Sequence, residues 1–131
     1  ERILNFFPEA THKNILMNLA LNLRAVISLR LVVGVDGRRM PATEVLINTP
    51  MIRDLIRRGQ IHQLKEAMDT SLDEDIHTFD QSLFRMYKDG KITLDEALLK
   101  ADSRDGLALK IRLSEGGSAE HDPYGDLYNN Q

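Results

Sequence analysis

Asn48-Thr49-Pro50-Met51-Ile52-Arg53-Asp54-Leu55-Ile56-Arg57-Arg58-Gly59-Gln60-Ile61-His62 carries a helix start, a two-sided helix and a helix stop in one short stretch. Thr49 can accept a hydrogen bond from the first free amides of a helix, and Pro50 suits the first helical position, where a missing N–H removes nothing. Ile52, Leu55 and Ile56 then fall on one face, while Arg53 and Arg57 share another. Gly59 supplies the left-handed residue that ends the turn. One short helix therefore presents an apolar seam and a guanidinium pair.

Upstream of this helix, Arg30 to Val35 and Met40 to Ile47 are β-prone runs joined through Asp36-Gly37, a dipeptide favoured in tight hairpin turns because both residues tolerate positive φ. Pro41 near the start of the second run predicts an edge strand or a bulge there. Further back, Ile15, Leu16, Leu19, Leu23, Val26 and Ile27 recur at helical spacing, which predicts one long amphipathic helix from just after Pro8 to about Leu29.

Downstream the pattern is of short helices. Gln60 to Met68 places Ile61, Leu64 and Met68 on one face. Thr78-Phe79-Asp80-Gln81 and Thr93-Leu94-Asp95-Glu96 each have the form of a capping box, so each marks a helix start. Gly90 marks the end of the first of these helices. Leu107 to Leu113 alternates like a strand, yet Ser103 as a cap and the Leu107, Ile111 spacing favour a helix. From Ser114 the chain is Gly, Ser, Asn, Asp and Pro with isolated Tyr124, Leu127 and Tyr128, a composition that predicts a polar, flexible tail over 114–131. If that tail is ordered, the two tyrosines are its natural anchors.

The 131 residues amount to about one domain, with 42% hydrophobic and 28% charged content. The absence of cysteine excludes disulfides and thiolate metal sites, in keeping with a reducing cytoplasm. No run approaches the roughly 18 apolar residues that would span a bilayer. The chain opens on Glu1, and E-R-I-L-N-F-F-P lacks the design of a signal peptide, so the expectation is a piece of a longer polypeptide. A formal net charge of −3 leaves no global basic field for nucleic acid or an anionic membrane.

Few residues point to chemistry. The phosphate-binding pattern G-x-x-x-x-G-K-S/T is missing: Gly90-Lys91 is followed by Ile92, and Arg85 stands where the first glycine belongs. His12, His62, His77 and His121 form no H-E-x-x-H pair, and Asp73-Glu74-Asp75 lacks the spacing of a calcium loop, so no metal site is expected. The succession helix, glycine, helix over Ile52 to Met68 also outlines a helix-turn-helix DNA reader. Its second helix, however, carries only His62 and Lys65 as basic groups, too few to neutralise phosphates, so no nucleic-acid partner is expected.

Met51 to Arg58 resembles the A-I-R-N-L-I-R-E signature of the PilT/PilU family, hexameric twitching-motility ATPases that retract type IV pili. The resemblance extends through L-x-L-N-L-R-A-V-I-S at Leu19 to Ser28, M-P-A-T-E-V-L-I-N-T-P at Met40 to Pro50 and H-T-F-D-Q-S-L-F at His77 to Phe84. The block from Ala101 to Leu113 is more like the PilU branch than the PilT branch. Asp54 stands where the signature has Asn, Arg58 where it has Glu, and Leu29 where Gln is common.

The resemblance implies an α+β fold: a long helix and a hairpin over 1–48 that complete the edge of a RecA-like core, then a small helical bundle over 49–113. It implies that the phosphate-binding loop, the magnesium-site residues and hence the ATP chemistry lie N-terminal to Glu1, leaving no catalytic residue here and a piece inactive alone. It also implies a homohexamer, a pilus platform protein of the inner membrane and a related retraction ATPase as partners, and a cytoplasmic, peripheral place at the base of the pilus machine. Met51, Ile52, Arg53, Asp54, Leu55, Ile56, Arg57 and Arg58 are then the retraction signature, with Glu44 as the expected partner of Arg53. The basic group Arg53, Arg57, Arg58, Lys65 and the acidic group Asp69, Asp73, Glu74, Asp75 are either two solvated surfaces or patches that meet across copies. The alternative to a motor is a non-enzymatic helical interaction module that was never joined to an ATPase core.

Overall fold

The computed structural model describes residues 2–116; the predicted tail from residue 117 onward, with Tyr124, Leu127 and Tyr128, lies outside the described residues. The elements run α1 (His12–Asn22), β1 (Ala25–Val33), β2 (Arg39–Ile47), α2 (Pro50–Arg57), α3 (Leu64–Asp69), α4 (Phe79–Lys88), α5 (Leu94–Lys100) and α6 (Arg104–Ser114), with short 3-10 turns at Leu4–Phe6, Glu9–Thr11 and Ile61–Gln63. This is an α+β arrangement around one antiparallel hairpin.

The long helix predicted to reach Leu29 stops at Asn22, and β1 takes Ala25 to Leu29. Leu23, Val26 and Ile27 fit a helical face on spacing alone, but the β-branched Val26 and Ile27 pair with Leu46 and Val45 across the hairpin, and the ladder prevails. Asn48 fixes the boundary: its side-chain amide donates to the carbonyls of Ala20 (3.0 Å) and Leu23 (2.8 Å), taking up acceptors that the helix end leaves open.

The hairpin turn also differs from the two-residue form expected of Asp36-Gly37. Gly37 N–H donates to the Gly34 carbonyl and Gly34 N–H to Arg38, which makes a three-residue loop, Val35 to Gly37. Only Gly37 takes positive φ, 77°, as the bulge residue of that loop type requires. Pro41 sits in unbroken register opposite Leu31, so it marks an edge and no bulge.

Two apolar cores lie along the hairpin. Near its turn, Val32 and Ala42 pack with Phe79, Leu83, Ile92, Ala97, Leu107 and Ile111 from the region of α4 to α6. Near its base, Leu46 and Ile47 pack against Ala20, Ile52, Leu55, Ile56, Ala67, Met68 and Ile76, from α1 to α3 and the segment before α4. The helices after the hairpin thus divide their packing between its two ends.

The caps follow the sequence closely. Thr78 accepts from Gln81 N–H and the Gln81 side chain returns to Thr78 N–H, a complete capping box. Thr93 accepts from Glu96 N–H, but Glu96 does not reciprocate: its carboxylate accepts Val33 N–H on β1 at 2.8 Å. Ser103 caps α6, which settles Leu107 to Leu113 as helix.

Candidate functional site

Thr49 Oγ1 accepts from Ile52 N–H and Pro50 opens α2. At the other end Gly59 N–H donates to Ile56 and Gln60 N–H to Leu55, the paired bonds of a Schellman stop, with Gly59 at φ 71°. Both ends of the helix are therefore fixed, the first by a side-chain cap and the last by backbone hydrogen bonds.

Its apolar side is sealed. Ile52, Leu55 and Ile56 are 2%, 8% and 3% exposed, and each such side chain contributes about 1.5–3 kcal/mol when fully buried. Met51, at the margin of that face, is 61% exposed. Asp54 receives both Arg57 (2.7 Å) and Arg58 (2.8 Å). The hydrogen bond from Arg57, reinforced by the charge of Arg58 and only partly opposed by desolvation, holds the Asp54 carboxyl below its ordinary range. Arg53 is exposed and has no ion pair among the described residues.

Glu44 does not meet Arg53. Its carboxylate lies 3.0 Å from Lys65 Nζ and accepts Phe79 N–H at 3.3 Å, because position 44 points its side chain to the sheet face covered by α3 and α4. The expectation that Glu44 serves the signature arginine is therefore corrected: it joins the hairpin to α3 and to the start of α4.

Sequence reading missed the charge cluster around Glu44. Lys65 also contacts Asp102, and Asp102 accepts from Arg30 at 2.9 Å, while the Arg30 guanidinium lies 4.2 Å above the Phe79 ring. Burial alone would lower the Lys65 ammonium, but hydrogen bonds with Asp102 and Glu44 raise its pKa above the ordinary value. Burial opposes the Asp102 carboxylate too, yet Lys65 and Arg30 bring its pKa below the ordinary value. Asp80 accepts from the backbone amides of Asp102 and Ser103, fixing the turn that presents Asp102. Arg30 and Asp102 are 72 positions apart, so no local spacing could have announced them.

The histidines play local parts. His12 bonds the Phe7 carbonyl, His62 approaches the Gln63 amide, and His77 Nε2 lies 2.9 Å from Thr43 Oγ1 while its backbone bridges Val45; His121 lies outside the described residues. No group of three or more metal-ligating side chains occurs among the described residues. Among the same residues, no helix is long and apolar enough to cross a membrane.

No protein-family model matches the chain. It is 44% identical over 122 residues to the type IV pilus ATPase PilU of Pseudomonas aeruginosa, a match that covers 92% of this chain and 32% of the relative. It is 32% identical over 101 residues to the type IV pilus retraction ATPase PilT of the same organism, covering 77% of this chain and 29% of that one. A crystal structure of the pilus retraction motor PilT with bound ADP superposes with a TM-score of 0.72 at 31% identity, over 82% of this chain and 30% of that one. The chain spans about a third of the length of the curated relatives it matches.

Proposed function

We propose, from the premise that this chain belongs to the PilT/PilU family of type IV pilus ATPases, that it is the C-terminal, force-transmitting part of a hexameric motor driving pilus retraction and twitching motility. ATP and Mg²⁺ act in polypeptide N-terminal to Glu1, and this piece converts the resulting domain rotation into work. Its partners are its own copies in the ring, the platform protein of the inner membrane and a related retraction ATPase, and it works at the cytoplasmic face of that membrane.

The observation that carries this reading is the division of labour on α2. Ile52, Leu55 and Ile56 anchor the helix in the base core, so Met51 and Arg53 are held outward on a rigid support. A surface of that kind can exchange contacts at an interface while its own backbone stays still. Asp54 restrains Arg57 and Arg58, which leaves Arg53 as the group available to a neighbour.

The hairpin supports the place in a larger core. Ile27, Leu29 and Leu31 on β1 are 71%, 65% and 49% exposed on one sheet face, while Val32 on the other face is buried. A strand with apolar residues on both faces reads as an interior strand of a covered sheet, which is what joining a RecA-like core requires.

Arg53→Ala in the intact motor tests the reading. Twitching or retraction force falls while nucleotide binding stays at the parent level. Full motility in that variant, or loss of nucleotide binding, counts against it.

A further inference from the structure

Between the two cores runs a polar seam. On one side is α3, which packs with α2 in the base core; on the other are the start of α4 and the turn into α6, which belong to the core near the hairpin loop. A cleft of about 360 Å³ separates α3 from α6, with Lys65 and Asp69 on one wall and Asp80, Ser103 and Lys110 on the other. Four side chains cross the mouth of this seam in alternating sign: Glu44, Lys65, Asp102, Arg30.

The order of those charges matters. Glu44 and Lys65 form one pair, Asp102 and Arg30 another, and the Lys65–Asp102 contact joins the two pairs across the cleft. Separating an isolated buried pair leaves two uncompensated charges. Separating this central contact leaves none, because Lys65 keeps Glu44 and Asp102 keeps Arg30. Arg30 also keeps the Phe79 face, and Asp80 keeps the turn that carries Asp102. Two further side chains span the seam: Gln81, whose side-chain amide donates to the Asp69 carbonyl at 3.1 Å, and Glu44 from the shared hairpin, which holds Lys65 on one side and accepts Phe79 N–H on the other.

We propose that the α3–α6 cleft is a hinge gap with two states, and that Lys65–Asp102 is the latch that holds it shut. The cores around α1–α3 and α4–α6 pivot about the hairpin they share. Lys65 is half-exposed and Asp102 about one-third exposed, so the latch responds to ionic strength where a sealed apolar contact would not. The inference deepens the force-transmitting role proposed above by locating the joint within this piece. Its test uses this chain alone, so its failure would leave the Arg53 motility result untouched.

The chain has no cysteine, so two spin labels can be placed without background. Labels at His62 and Arg112, both exposed and outside the cleft lining, report the distance across the seam; labels at Lys88 and Arg112, both beside the same core, serve as the control. In the parent at low salt the His62–Arg112 distribution is narrow. Lys65→Met, Asp102→Asn, and concentrated salt on the parent each shift it to longer distance, while the Lys88–Arg112 distance holds. An unchanged His62–Arg112 distance under all three treatments overturns the latch. If both variants fail to fold, the salt titration of the parent decides alone: a shift supports the latch and its absence overturns it.

Discussion

The two edges of the hairpin are treated in opposite ways. Along the middle of β2 the outward positions are accounted for: Pro41 has no amide, Thr43 N–H donates to Ser82 Oγ, and Val45 exchanges both backbone bonds with His77. Along β1, among the described residues, only the end near the turn is closed, by Glu96 on Val33 N–H and by the Lys91 carbonyl on Val35 N–H. Alternation along the strand directs the amides of Leu31, Leu29 and Ile27 to that same outer side, beside exposed apolar side chains. An uncovered edge of this sort is a pairing template that proteins rarely leave open. The finished edge belongs to a unit complete in itself, and the unfinished one is where the larger core proposed above would extend the sheet.

Breaking the finished edge should have the largest effect. Leu83 is fully buried where α4 lies on the sheet, and Leu83→Ala should lower stability by about 2–5 kcal/mol, read by urea unfolding. Amide exchange at Val45 and His77 should quicken with it. If protection there survives a full loss at Leu83, α4 is not what holds that edge.

Thr78→Ala should cost about 1 kcal/mol by the same measurement, since it removes half of the capping box that starts α4 beside His77. A smaller effect comes from His77 itself. Burial, then the charge of Arg85, depress its pKa from the ordinary value, so the folded state favours the neutral ring. The unfolded chain then takes up the proton first as pH falls. The contribution is complete above about pH 6.5 and is lost as pH drops from there toward the lowered folded value. Thermal unfolding between about pH 5 and pH 8 should show this decline, and His77→Gln should flatten it.

The unfinished edge should be the least sensitive in this chain. Leu29→Lys should alter stability by no more than about 0.5 kcal/mol, since the side chain is mostly solvated, while reducing self-association seen by sedimentation. A large destabilisation would mean that β1 is already covered.

What was legible in the sequence follows the range of each interaction. Thr49, Pro50, Gly59, Thr78 and Ser103 announce helix ends because each acts within a few residues. The α1–β1 boundary was obscured because Leu23, Val26 and Ile27 satisfy two periods at once, and only the pairing with β2 decides between them. Glu96 looked like the second half of a capping box, but an unpaired strand amide offered it a partner that local reading cannot see. The charge chain from Glu44 to Arg30 is assembled by four separate elements, so its members were named singly or not at all. The signature helix itself was read correctly as two-sided, whereas the partner assigned to Arg53 was not.

The central claim is that this chain transmits force from nucleotide chemistry located elsewhere in a longer polypeptide. The direct test is ATP turnover and assembly state, measured side by side for the 131-residue chain and for the full-length protein that contains it. Hexamers that hydrolyse ATP should form from the full-length protein only. Hydrolysis by the 131-residue chain on its own would contradict the account.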